Sequence, residues 1–148
     1  MFRDCTSLTS VPELPASTLA QYCYSNMFDK CTSLTTAPAI LPATTLADNC
    51  YYYMFANCSS LTTAPKLPTT TLANNCYASM FQGCSNLASI NVSFTAWEPT
   101  NATTRWLNNV AATGTFECLQ ALIDNTTTRD SNTVPESWTM VAYDVEPV

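Results

Sequence analysis

Histidine is absent from this chain, and glycine occurs only at Gly83 and Gly114. The first absence removes the commonest general base and a leading metal ligand. The second leaves no glycine-rich loop to cradle a phosphate. Basic residues are few as well: Arg3, Lys30, Lys66, Arg105 and Arg129, scattered along a chain of net charge -6. With no basic stripe to neutralise phosphates, neither nucleic acid nor an anionic membrane surface is an expected partner. No apolar run approaches the roughly 18 residues of a membrane span. Charged residues make up 11%, against about a quarter in ordinary globular domains. Thr, Ser and Asn fill the polar positions instead, and a surface of that kind points to work outside the cytoplasm. Apolar residues are 47% of 148, enough for one domain with a real core and too many for a disordered chain.

What is present is repetition. Met1-Phe2, Met27-Phe28, Met54-Phe55 and Met80-Phe81 open four similar segments, a period of roughly 26 residues, within the range of solenoid repeats. Self-similarity at such a period is the mark of stacked repeats, none of which can bury its apolar face alone. The second segment is longer than the first and third by a single residue, which falls in Ala39-Ile40-Leu41 and implies a loop there. A fifth, worn repeat aligns Trp106-Leu107 with Met80-Phe81, Ala102 with Cys76 and Val110 with Cys84. The opening Met1-Phe2-Arg3-Asp4-Cys5 has no basic or apolar leader and already lies inside a repeat. The chain therefore reads as the C-terminal piece of a longer array, with any targeting signal upstream.

Each repeat holds two predicted elements. Leu46, Cys50, Met54 and Cys58 stand four apart, with Ala47, Tyr51 and Phe55 beside them. This stripe predicts a helix capped by Thr44 or Thr45 after Pro42. Ser60–Ala64, rich in Thr and closed by Pro65, predicts a short strand. Pro65-Lys66-Leu67-Pro68 then turns the chain. The expected fold class is an α/β repeat: a leucine-rich-repeat solenoid, short parallel strands on one side and helices on the other, with a C-terminal β-containing cap. Residues 1–90 form the repeats, and residues 91–148 form the degenerate last repeat and cap. In that cap Thr115–Cys118 and Trp138–Tyr143 are expected as strands covering the last sheet edge. Trp138 is expected on the final helix, and Asn125–Asn132 as a polar turn tolerant of substitution.

The core Phe28-x-x-Cys31-x-Ser33-Leu34-Thr35, with a helix running into the next Met-Phe, resembles the BspA-like leucine-rich repeats of bacterial surface proteins. The likeness covers residues 1 to about 90. Trp106-Leu107, Gly114-Thr115-Phe116 and Val134–Thr139 look like the C-terminal cap of similar proteins. The resemblance implies a secreted or cell-surface adhesion and recognition module, and it carries no enzymatic residues. The Pro-x-Leu-Pro segment departs from the pattern and leaves the strand register open.

The eight cysteines stand at 5, 23, 31, 50, 58, 76, 84 and 118. None lies two to four residues from another, so a metal site is not expected. Cys23 and Cys31 would be about 12 Å apart along a helix at 1.5 Å per residue, and neighbouring helices lie about 8–10 Å apart. Disulfides need Cα atoms within about 7 Å, so free buried thiols are expected, although loss of a bonded pair at Ala102 and Val110 would also fit. Asn57, Asn91, Asn101 and Asn125 open glycosylation sequons that this composition makes by coincidence. Tyr24, Tyr51 and Tyr77 recur and read as packing, while Tyr22, Tyr52 and Tyr53 break the repeat and read as outward-facing.

No enzyme and no cofactor are expected. The first functional reading is an extracellular or cell-surface module that binds a protein or glycan on a host or neighbouring cell. Its candidate contacts on the sheet side are Thr9, Ser10, Thr35, Thr36, Thr62 and Thr63, with Glu13 and Lys66 at the rim. The same residues also read as a ladder of β-formers without a ligand. The alternative is a structural segment, such as a stalk, filament subunit or phage tail component, self-associating through its ends. Ice binding by stacked Thr is disfavoured because adjacent Thr residues on a strand would face opposite ways.

Overall fold

A run of four-residue turns recurs in each repeat of this chain. The structure, a computed structural model, describes residues 2–143, so Met1 of the Met-Phe series lies outside it. In the second repeat the N–H groups of Cys50, Tyr52, Met54, Ala56 and Cys58 donate to the carbonyls three residues back. Each such bond closes a β-turn. The alternate N–H groups, of Asn49, Tyr51, Tyr53, Phe55 and Asn57, donate to Asn74, Cys76, Ala78, Met80 and Gln82 of the next repeat at 2.7–3.1 Å. The pattern recurs from Tyr22 to Lys30 and from Tyr77 to Gly83. Each repeat is therefore one coil, and half of the backbone bonds of its turn ribbon belong to its neighbour.

The expected helical layer is thus overturned, and with it the α/β leucine-rich-repeat solenoid. The only α-helix among the described residues is α1, Gln120–Asn125, where none was expected. The physical reason lies in the period. On a helix, residues four apart drift about 40° per step, so Leu46 and Cys58 would end about 120° apart. A four-residue turn repeats without drift, provided one residue in four takes a left-handed conformation. Those residues are Asn49, Tyr53 and Asn57 in the second repeat (φ 58°, 55° and 60°), and Asn75, Ser79 and Gly83 in the third. Asn and Gly visit that region at the lowest cost.

Strict repetition stacks like on like. Phe2, Phe28, Phe55 and Phe81 form one column with ring centroids 5.5–5.8 Å apart. Tyr24, Tyr51 and Tyr77 form a second at 5.8–5.9 Å, closed by Trp106 at 5.9 Å. Met54, Met80, Leu34, Leu61 and Leu87 are fully buried in the same core. Trp106, aligned with Met80, is fully buried too and donates its indole N–H to the Thr133 carbonyl.

The second element shrinks to little more than a bridge. Ser60–Ala64 forms no strand; Thr63 makes one parallel bridge to Ser89, and Ser10 one to Thr36. Prolines following each Thr pair lack the N–H that would extend the ladder. Where the worn coils lose those prolines, true strands form: β1 (Ser89–Asn91), β2 (Thr115–Cys118) and β3 (Thr139–Ala142), paired in parallel in that order.

The last segment, through Tyr143, continues the stack. The repeat helix expected to receive Trp138 does not form. The Trp138 ring lies against Gly114, where a Cβ would come within 2.6–2.7 Å of it, and its indole donates to the Ala111 carbonyl. Asn125–Asn132 is more than a tolerant turn. The Asn132 side chain accepts the Arg105 N–H at 2.7 Å, and the Ser131 carbonyl accepts that of Leu107 at 3.0 Å. These groups stand in for the next coil and satisfy donors that the last ribbon would otherwise leave bare.

Asn49 separates ribbon from helix experimentally. Asn49→Gly should leave chemical denaturation nearly unchanged, while Asn49→Val should lose about 1–2 kcal/mol, because a β-branched residue is strained at positive φ. A Gly variant less stable than the Val variant, as a helix would give, would refute the ribbon.

Candidate functional site

The Thr pairs reach the surface through a backbone irregularity. After the ribbon ends at Cys58, Leu61 turns inward, Thr62 and Thr63 are both exposed, and Ala64 is buried again. Regular strand alternation would place one Thr of each pair inside. In the first two coils a single carbonyl, that of Thr9, accepts the N–H groups of both Thr35 and Thr36, at 3.0 and 3.3 Å. The Thr35 hydroxyl donates to it as well, at 3.1 Å. One acceptor serving two successive donors bends the chain there, and both side chains face water.

All eight expected contact residues, Thr9, Ser10, Glu13, Thr35, Thr36, Thr62, Thr63 and Lys66, are exposed. Four come together: Thr35, Thr36, Thr62 and Thr63 line a groove of about 290 Å³ between the second and third coils, with Pro38 and Ala39. Lys66 stands at its rim, its N–H bonded to the Ala39 carbonyl at 3.0 Å. Thr9 and Ser10 belong to the adjoining coil, Ser10 bridging to Thr36. Glu13 is apart from the groove. By alignment it holds in the first coil the place of Ile40 in the second, and Ile40 in turn bridges to Lys66. Glu13 and Lys66 form no ion pair; among the described residues the ion pairs are Arg3 with Asp4 and with Asp29.

The row is longer than the expected contacts. Ser10 bridges to Thr36 and Thr63 to Ser89, while Ser89, Thr115 and Thr139 are in register in the sheet. Every coil thus places a hydroxyl residue at this point. Ser89, Thr115 and Thr139 are absent from the expected contacts because the Thr pair itself is gone there. The signal was the spacing, since Ser89 and Thr115 each follow the hydroxyl residue of the coil before by one repeat length. The groove lining carries hydroxyls and hydrocarbon and no ionisable side chain. It can exchange hydrogen bonds and offer carbon surface, but holds no group able to move a proton near neutral pH.

A second cleft, of about 390 Å³, opens between Trp97–Thr100 and Asn125–Thr133. Its residues do not repeat, so periodicity does not point to them. In the register of the Leu67–Val92 bridge, Trp97 stands where the third coil carries Leu72, although the 26-residue spacing of the sequence puts Glu98 there.

The cysteines are all free. Those of the Met-Phe-x-x-Cys series act as small donors. The thiols of Cys31, Cys58 and Cys84 reach the carbonyls of Phe2, Phe28 and Phe55 in the preceding coil at 3.0–3.1 Å. Burial pushes Cys50 and Cys84 up to about 12, and Cys76 and Cys118 up to about 11. Cys31 and Cys58 are raised in the same way. Cys5 and Cys23, in the first coil, are exposed. Among the described residues no three His, Cys, Asp or Glu side chains gather to hold a metal, and no helix is long and apolar enough to cross a membrane. Tyr22 is exposed, and Tyr52 and Tyr53 are half-buried against each other rather than outward.

No family model, curated protein or solved structure matches this chain.

A thiol reagent should label two cysteines rapidly in the native protein and all eight after denaturation without reductant. Because the buried thiols ionise later in the folded than in the unfolded chain, stability should be at its full value below about pH 9 and fall as pH rises towards about 12. Rapid native labelling of more than two thiols, or a melting temperature unmoved between pH 8 and pH 11, would contradict this burial.

Proposed function

We propose that this chain is a binding module of the cell surface or extracellular space, which presents its hydroxyl face to a protein or glycan. The observation that carries the reading is the row of neutral Ser and Thr residues, one in every coil, exposed at Ser10, Thr36, Thr63 and Thr139 and half-buried at Ser89 and Thr115, with a groove of about 290 Å³ opening on it at Thr35, Thr36, Thr62 and Thr63. A groove lining of hydroxyls and hydrocarbon offers donors and acceptors, and little that repels a polar partner. The scarcity of charged residues and the resemblance of the Met-Phe-x-x-Cys-x-Ser-Leu repeat to BspA-like surface proteins support the same reading. The groove lining has neither acid nor base, which favours recognition over catalysis.

The test is retention on immobilised extracellular-matrix proteins and glycans, comparing the natural chain with a Thr36→Arg/Thr63→Arg double variant. Both positions are exposed, so the variant should melt within a few degrees of the parent. At least one surface should retain the natural chain, and the variant should bind it at least about tenfold more weakly, a loss of about 1.4 kcal/mol. Equal retention of the two would remove the groove from the reading. Filaments that grow with concentration, together with no retention on any surface, would replace it with the structural role.

A further inference from the structure

We propose that the cleft at Trp97 is a binding site for a neutral saccharide, separate from the hydroxyl groove and resting on the reading of the chain as a binding module. The site begins with a departure from the repeat. Counted on from the Leu67–Val92 bridge, the fourth coil puts Trp97 where the third has Leu72, the counterpart of Leu19 and Leu46. Trp97 packs against Phe94, Trp106 and Phe116 but remains only half-buried. Its indole N–H is committed to the Thr126 hydroxyl at 2.9 Å. What it offers to the cleft is therefore carbon surface, the partner that the C–H face of a sugar ring requires.

Around that surface stand polar groups with capacity to spare. Glu98 and Thr100 come from one wall, and Asn125, Thr127 and Thr128 from the other. Among the described residues the Glu98 carboxylate and the Thr100, Thr127 and Thr128 hydroxyls make no hydrogen bond. The Asn125 amide donates to the Thr95 carbonyl at 2.7 Å, which leaves its own oxygen free to accept. The unused groups are two kinds of strong acceptor and three hydroxyls, a set that suits a ligand rich in O–H donors. No Lys or Arg lines the cleft, and Glu98 would repel a carboxylate or sulfate, so uronic acids and sulfated sugars are excluded. About 390 Å³ lies at the small end of ligand sites and suits one or two sugar rings better than a folded protein surface.

The walls are held in place. Asn125 is tied to Thr95 across the cleft, and the Thr126 hydroxyl both receives Trp97 and donates to Leu122 within α1. Thr133 bonds to the Thr128 carbonyl at 2.7 Å. The acceptors are thus positioned before a ligand arrives, which lowers the ordering cost of binding.

The reporter is built in. Trp106 and Trp138 are buried, so Trp97 is the tryptophan that a bound sugar would touch. The full chain is titrated with the methyl glycosides of glucose, galactose, mannose and N-acetylglucosamine, with their β-linked disaccharides, and with glucuronic acid. Tryptophan emission and saturation-transfer NMR are followed. At least one neutral sugar should give a saturable emission change, and glucuronic acid none. Trp97→Leu removes the ring and its bond to Thr126, so it should lose the NMR signal, with an unchanged far-ultraviolet circular dichroism spectrum showing that the fold is kept. Glu98→Gln should weaken binding about tenfold, and Thr36→Arg/Thr63→Arg should leave it unchanged. Saturable binding by none of the neutral sugars, equal binding of glucuronic acid, or undiminished binding by Trp97→Leu would each overturn the site. Sugar binding lost in Thr36→Arg/Thr63→Arg but kept in Trp97→Leu would place it in the groove instead and leave the binding-module reading standing.

Discussion

Alternate backbone N–H groups in the turn ribbon cannot be satisfied within their own coil, and everything else in the structure follows from where they go. An α-helix closes its ladder on itself and can slide against a neighbour. This ribbon closes only every second bond, and the others fix it to one register on the next coil. An unmet buried N–H costs on the order of 1–3 kcal/mol, so a coil without its neighbour is poorly stable and the stack holds together as a unit. The same demand is met beyond the last ribbon of the described residues. Asn132 and Ser131 supply acceptors to Arg105 and Leu107 from a segment that forms no turn ribbon of its own.

Register of this kind also fixes the chemistry of the side chains. When a residue sits directly over its own copy, a charge sits over a like charge, which is unfavourable. Threonine, serine, asparagine and cysteine carry no such penalty, and this is the physical reason the chain is so weakly charged. Charges occur where the repeat is broken. Arg3 lies over Asp29 at 3.1 Å, and the Asn57 amide binds the other Asp29 oxygen at 3.1 Å. Aromatic rings gain from the same stacking, so Phe and Tyr columns run through the coils. The cysteines fit this scheme as residues small enough to bury that still carry a donor for the preceding coil.

Variation in length and in chemistry is confined to places the ribbon leaves free. The parallel bridges do not share one spacing: Thr18 with Thr45 spans slightly more chain than Ser10 with Thr36, and Leu67 with Val92 slightly less. The shifts fall in the proline-bearing segment after the Thr pair, which bonds to neighbouring coils through separate bridges and not through the paired turns of the ribbon. The two candidate binding regions lie at such places. The groove opens beside that segment, and the Trp97 cleft opens where the worn coil gives up the Leu column.

The sequence by itself determined the period, the boundaries of the coils and the identity of most stacked columns. Each depends only on which residue recurs, and like residues at one spacing must meet in a stack. It also carried the evidence against a helix, since a stripe at steps of four from Leu46 to Cys58 fits a four-residue turn better than the tighter turn of an α-helix. Asparagine at 49, 57 and 75 marked the left-handed positions. Other features were decided by tertiary structure alone. Half of the ribbon's hydrogen bonds are made to another coil, so no local propensity reports them. Thr35 and Thr36 both face outward where one carbonyl, that of Thr9, accepts two N–H groups across the stack. The Trp97 cleft joins segments that are distant in sequence and share no repeat, and its walls meet only because the last coils are closed by a chain that follows no period.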